Sequence, residues 1–180
     1  MSRVRIVGGV WRSRLLNVSA VPGLRPTPDR VRETLFNWLG QDLSGLDCLD
    51  LFAGSGVLGF EAASRGAASV TLIEQNPRAF AALQAGAKQL GGEERLELLR
   101  ADALKFLART ERRYDVVFLD PPYHQGWIER VLPLLPRVLK PQALVYAEAE
   151  HELAQFEGWE RVRGGQAGQV HFNLLRVREA

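Results

Sequence analysis

Short apolar runs alternate along the chain with stretches in which apolar residues return every three or four positions. Cys48–Phe52, Ser69–Ile73, Leu96–Arg100, Tyr114–Leu119 and Ala143–Glu148 read as buried strands. Between them lie helical patterns: one from the Ala53–Gly56 loop to Arg65-Gly66, and one capped by Asn76 with Pro77 at its first position and stopped at Gly91-Gly92. Two more run from Asp102 to about Arg109 and over about 126–135, with a short helix expected from 151. Upstream, Thr27-Pro28-Asp29 reads as N-cap, N1 proline and acidic first turn of a helix over about 28–40, with Val31, Leu35, Trp38 and Leu39 on one face. Residues 3–7 and 10–18 flank Gly8-Gly9, which predicts a β-hairpin with a tight glycine turn. Strands at about 159–163 and 169–178 close the chain. Strand–helix alternation predicts an α/β fold, a parallel, doubly wound sheet covered on both faces.

A chain of 180 residues suits one domain without disulfides or a structural metal. The single cysteine, Cys48, sits in a strand pattern and reads as core in a reducing compartment. No run reaches membrane-spanning length and the start lacks a signal peptide's apolar core, so a cytoplasmic protein without membrane contact is expected.

Net charge is only +2, but residues 1–32 carry Arg3, Arg5, Arg12, Arg14, Arg25, Arg30 and Arg32 against one acid, Asp29. That segment sums to +6 and the rest to −4. Such a basic end on a near-neutral domain suits a phosphate backbone, the bland alternative being a solvated arginine face. Trp11, interleaved with arginines, either contacts bases or packs the hairpin onto the domain; packing is favoured.

Acids mark the strand ends. Asp50 precedes the Ala53-Gly54-Ser55-Gly56 loop, Glu74 follows the second strand, Asp102 the third and Asp120 the fourth. In doubly wound sheets the ligand lies across those carboxyl ends. Glu74 can accept both hydroxyls of a ribose and Asp102 an adenine amino group. Asp120-Pro121-Pro122-Tyr123 is a stiff corner, because proline fixes φ and cannot continue a sheet. It can stack a flat nitrogenous ring on Tyr123 while the Asp120 carboxylate and a backbone carbonyl accept from its amino group.

Gly54-Ser55-Gly56-Val57-Leu58-Gly59 also fits the dinucleotide pattern G-x-G-x-x-G, so a nicotinamide cofactor is a rival. Asp50 would oppose a pyrophosphate there yet suits an amino group, and hydride transfer has no use for the Asp120 corner. S-adenosylmethionine is therefore preferred.

Together, Asp50-Leu-Phe-Ala-Gly-Ser-Gly56, Glu74, Asp102 and Asp120-Pro-Pro-Tyr123 resemble the class I S-adenosylmethionine-dependent amino-methyltransferases. Arg5-Ile-Val-Gly-Gly-Val-Trp-Arg12 and Leu24-Arg-Pro-Thr-Pro-Asp-Arg-Val-Arg-Glu-Thr-Leu-Phe-Asn-Trp-Leu39 narrow the likeness to the bacterial 16S ribosomal RNA guanine-N2 methyltransferases, the RsmD family. The resemblance implies a Rossmann-like seven-stranded sheet with its last strand antiparallel. The N-terminal β-hairpin, residues 1–24, would be an RNA-binding extension of a methyltransferase domain over 25–180. It implies methylation of a guanine N2 amino group in 16S rRNA, within the assembled or assembling small ribosomal subunit, by a monomer that needs no metal. The implied cofactor set is Asp50, Phe52, Ala53, Gly54, Ser55 and Gly56 with Glu74, Asp102, Ala103 and Thr27. Asp120, Pro121 and Tyr123 would be catalytic, and the seven arginines would meet RNA. Methylation of DNA adenine or protein glutamine would use the same corner, and a non-catalytic RNA-binding module could share the fold.

Overall fold

The computed structural model describes residues 2–18, 26–153 and 155–179. Seven strands form one sheet in the order β5-β4-β3-β6-β7-β9-β8. They are β3 (Asp47–Asp50), β4 (Ser69–Ile73), β5 (Leu96–Leu99), β6 (Tyr114–Leu119), β7 (Leu139–Ala149), β8 (Trp159–Ala167) and β9 (Val170–Val177). The first five pair in parallel, and β9 runs antiparallel between β7 and β8. The helices are α1 (Asp29–Leu39), α2 (Val57–Ser64), α3 (Pro77–Leu90), α4 (Ala103–Arg109) and α5 (Trp127–Val131). This is the expected class I architecture.

Because strand side chains alternate faces, the sheet sorts its residues by parity. Cys48, Val70, Leu72, Val116, Phe118 and Tyr146 join a core with Leu35 and Phe36 of α1, Phe60 of α2 and Leu83 of α3. Leu49, Ile73, Val117, Leu119, Val145 and Ala147 join the opposite core with Leu107 of α4 and Val131 of α5. Burial pushes the Cys48 thiol up to about 12, as fits a core residue. No helix among the described residues is long and apolar enough to cross a membrane.

Several local expectations change. Leu132–Val138 continues α5 as a 3-10 helix, because Pro133 and Pro136 lack the amide donors an α-helix needs. The helix expected from 151 is not formed, as the described residues between β7 and β8 are turn and coil. The hairpin strands are short, β1 (Ser2–Arg5) and β2 (Leu15–Val18), and Gly8-Gly9 is not their turn. Instead the 6–14 loop is pressed on α2. A Cβ on Gly9, at φ +79°, would lie 1.9 Å from the Ser64 carbonyl oxygen.

The clamp that holds this loop is Glu61 on α2, a carboxylate amid apolar residues. Its Oε1 accepts from the Val7 amide (2.9 Å) and the Arg32 guanidinium (3.0 Å). Oε2 accepts from the Gly8 amide (3.0 Å) and Arg65 Nε (3.1 Å). Trp11 is buried and packs the hairpin, with the Arg95 guanidinium 5.7 Å from its ring centre.

Candidate functional site

Parallel register brings the acids to one edge. Asp50 pairs with Leu72 on one side and Phe118 on the other, and Leu119 pairs with Ala147. The next residues, Asp120 and Glu148, are therefore neighbours. Asp50, Glu74, Asp120 and Glu148 all line one cleft of about 920 Å³ above the strand ends. Thr27, Phe52, Ala53, Gly54, Ser55, Ala103, Pro121 and Tyr123 line it too. Among the described residues lining it there are four strand-end carboxylates plus Glu150, and no lysine or arginine. Such a cleft favours a cation and opposes a phosphate.

Asp50 decides the rivalry over the glycine loop. Its Oδ2 accepts from the Gly59 amide in the first turn of α2 at 3.0 Å, so a carboxylate already occupies the anion position at that helix start. The pyrophosphate of a nicotinamide cofactor would have to displace it. Gly59 permits this approach, since a Cβ there would sit 2.5 Å from Leu72 and 3.2 Å from Asp50. The other oxygen, Oδ1, is buried with no hydrogen-bond partner among the described residues. Burial, outweighing the Gly59 hydrogen bond, lifts the Asp50 carboxyl to about 7, and the nearby Glu74 charge adds to the rise. A buried acceptor left without a partner, on a residue that lines the cleft, fits an ammonium donor.

Glu74 fixes the loops on either side. Its Oε1 accepts from the Gly54 amide (2.8 Å) and Oε2 from the Asn76 amide (2.7 Å), leaving outward lone pairs for ligand hydroxyls. Asn76 caps α3 as expected, its side chain accepting from the amides of Arg78 and Ala79. The two loop glycines differ in role. Gly54, at φ +57°, has open space where a Cβ would be, whereas Gly56, at φ +90°, would drive one within 2.5 Å of Phe60 and 2.6 Å of Leu83. Gly56 therefore serves packing and does not line the cleft. Asp102 does not line it either: its Oδ1 caps α4 by accepting from the Lys105 amide at 3.0 Å.

Thr27 is not the N-cap of α1, which has no side-chain cap and begins after Pro28. Its hydroxyl instead lies 2.9 Å from Asp120 Oδ2 and 3.1 Å from Glu148 Oε2. Tyr146 donates to the same Glu148 oxygen at 2.8 Å. Burial raises both carboxyls above their ordinary values, and for Asp120 the Glu148 charge adds to the rise.

The predicted arginines separate. Arg3, Arg5, Arg12, Arg14 and Arg30 are exposed. Arg32 is a correction: its side chain is 0% exposed, and it binds Glu61, Asp29 and the carbonyls of Thr27 and Arg5, so it cannot meet RNA. Arg25 lies outside the described residues.

Glu148, Glu150 and Trp127 are among the lining residues that carried no sequence expectation of a site role. Glu148 was legible in principle as one more acid closing a strand. Trp127 was hidden in a helix pattern, and its ring meets Phe52 edge-on at 5.2 Å, with the Arg130 guanidinium 4.1 Å from its centre.

Comparison with known proteins agrees with this architecture. Ribosomal RNA small subunit methyltransferase D of Escherichia coli K12 is 44% identical over 190 residues, spanning 99% of this chain and 91% of that protein. The solved yhhF protein of Escherichia coli superposes with a TM-score of 0.88 at 41% identity, over 99% of this chain and 100% of that one. A Thermus thermophilus 16S rRNA N2 G1207 methyltransferase, solved with AdoMet and guanosine, shares the fold at 20% identity and TM-score 0.75, over 99% of this chain and 50% of that one. Residues 4–176 match the family described as conserved hypothetical protein 95, and the chain belongs to that family.

Proposed function

We propose that this chain transfers a methyl group from S-adenosylmethionine to the exocyclic N2 amino group of a guanine in the 16S rRNA of the small ribosomal subunit. The observation that carries it is the shared cleft: Asp50, whose buried Oδ1 has no hydrogen-bond partner among the described residues, and the Asp120–Tyr123 corner line the same cation-favouring space. The family relatives named as small-subunit ribosomal RNA methyltransferases support the RNA, and the resemblance of the corner and the arginine-rich start supports guanine N2.

Asp50 receives the cofactor's ammonium, Glu74 its ribose hydroxyls, and the Ala101–Ala103 turn capped by Asp102 its adenine end. Bound there, S-adenosylmethionine supplies an electrophilic sulfonium methyl. Everything else is positioning. The N2 lone pair of guanine is delocalised into the ring until acceptors draw its hydrogens out of plane. The Asp120 carboxylate and the Pro121 carbonyl are those acceptors, and Asp120 takes the proton left on nitrogen after the methyl is transferred. Extruding the base costs a few kcal/mol, which stacking on Tyr123 offsets at about 1–3 kcal/mol. Arg3, Arg5, Arg12, Arg14 and Arg30 supply exposed cations for the RNA backbone.

The test is transfer of tritiated methyl to small-subunit particles, free 16S rRNA, DNA and protein, followed by mass spectrometry of the modified nucleoside. N2-methylguanosine in the RNA is the expected product. N6-methyladenine in DNA, N5-methylglutamine in protein, or no transfer would replace the proposal.

A further inference from the structure

Resting on Asp120 as the acceptor of the amino hydrogens, we propose that Glu148 is a positioning residue for the reaction, acting on Asp120 through the Thr27 hydroxyl. Glu148 and Asp120 sit side by side because β6 and β7 are in register, and Thr27 reaches both from the segment before α1.

A hydroxyl has one hydrogen and so can donate to only one of two carboxylates at a time. With oxygens of both at 2.9 and 3.1 Å, the arrangement is satisfied when one carboxyl carries a proton and gives it to Thr27, while Thr27 donates to the other. A half-buried Asp120 and a buried Glu148 that meet on one hydroxyl share a proton rather than both ionise. The Tyr146 hydroxyl holds the far member, donating to Glu148 Oε2 at 2.8 Å. The Arg32 Nε holds the bridge, donating to the Thr27 carbonyl at 3.1 Å. The other ionisable groups around the pair are Asp50 at the end of β3 and Tyr123 on the corner.

With the proton on Glu148, Thr27 donates to Asp120, and the Asp120 carboxylate is both ionised and pinned in one orientation. When the methylated nitrogen gives its proton to Asp120, the N–H bond breaks, the O–H bond forms, and the pair then holds two protons. One must leave to solvent before the next turnover.

The two arms of this device move acidity in opposite directions. When the shared proton sits on Asp120, the charge left on Glu148 holds it there; Glu148→Gln removes that charge, so Asp120 ionises more readily. Thr27→Val removes a donor to the ionised form, so Asp120 ionises less readily. The experiment is the pH profile of kcat/KM for the RNA substrate at saturating S-adenosylmethionine, on the full chain. Its acidic limb is expected to move down by about 1 pH unit in Glu148→Gln and up in Thr27→Val, with Thr27→Ser restoring the parental limb. Calorimetric titration with S-adenosylmethionine shows that each variant is folded; should Glu148→Gln not fold, the Thr27→Val and Thr27→Ser pair carries the test. Limbs that stay in place in both variants, while Asp120→Asn lowers turnover roughly 10²–10³-fold, overturn the role of Glu148. If Asp120→Asn itself leaves turnover unchanged, the assignment of Asp120 fails instead.

Discussion

The Glu61 carboxylate lies 3.0 Å from the Arg32 guanidinium, and both side chains are wholly buried. Glu61 also takes the Val7 and Gly8 amides, and Arg32 donates to the Thr27 carbonyl, so one ion pair ties the N-terminal loop, α2 and the threonine of the cleft together. A buried pair is costly to leave half-made. Glu61→Ala takes the shared carboxylate from two guanidinium groups and two amides, and urea unfolding should report a loss of about 3–5 kcal/mol. A change within the range of an exposed pair, below about 1 kcal/mol, would contradict this account.

Asp120→Asn keeps the shape of the corner and removes its charge. Binding of S-adenosylmethionine, measured by calorimetry, should stay near the parental value, because the proposed cofactor contacts, Asp50 and Glu74, lie at the ends of other strands. Turnover should fall roughly 10²–10³-fold, as for loss of one preorganised polar group.

With Asp50 as the proposed ammonium contact, cofactor binding should depend on pH. Burial lifts its carboxyl to about 7, above its ordinary value of 3.8, so the free protein holds a proton there that an unfolded chain or a cation-bound site would not. The sign follows: the folded apo protein loses stability as pH rises from about 4 through about 7, and gains affinity for a cationic ligand over the upper part of that window. Affinity for S-adenosylmethionine should rise by up to roughly tenfold per pH unit below about 7 and level off above it. Binding should release a proton to buffer at pH 6 and none from Asp50 at pH 8, and Asp50→Asn should abolish the release while weakening binding.

The exposed arginines are separable from the buried one. Replacing Arg3, Arg5 and Arg12 together should weaken RNA binding and reduce the salt slope by about 0.7–0.9 for each phosphate no longer neutralised, with the unfolding midpoint nearly unchanged. Arg32→Met should do the reverse, lowering stability and leaving the slope where it was. A salt slope that stays put in the triple variant would make the hairpin's charge irrelevant to RNA.

The sequence alone determined the order and type of the central elements. Asn76-Pro77 and Gly91 bracket α3 at its observed bounds, and Ser69–Ile73 is β4 to the residue, because capping and alternation are local physics carried by adjacent residues. It also determined that acids close the strands, which places Asp50, Glu74 and Asp120 at one cleft, whereas Asp102, expected with them, caps α4 instead. It did not determine which polar groups face ligand and which face the protein. Seen in order, Thr27 looks like a cap, Arg32 like one more RNA-facing cation, Gly56 like a cradle and Glu148 like the tail of a strand. Thr27 meets Asp120 across 93 residues of chain, Arg32 meets Glu61 across 29, and Glu148 meets Thr27 across 121. Gly56 is held close by Leu83 of a different helix. Only the parallel register of β6 with β7, and the pressing of the 6–14 loop onto α2, bring those groups within hydrogen-bond reach. A side chain's protonation and exposure follow from what surrounds it in space, and local propensity carries no record of that.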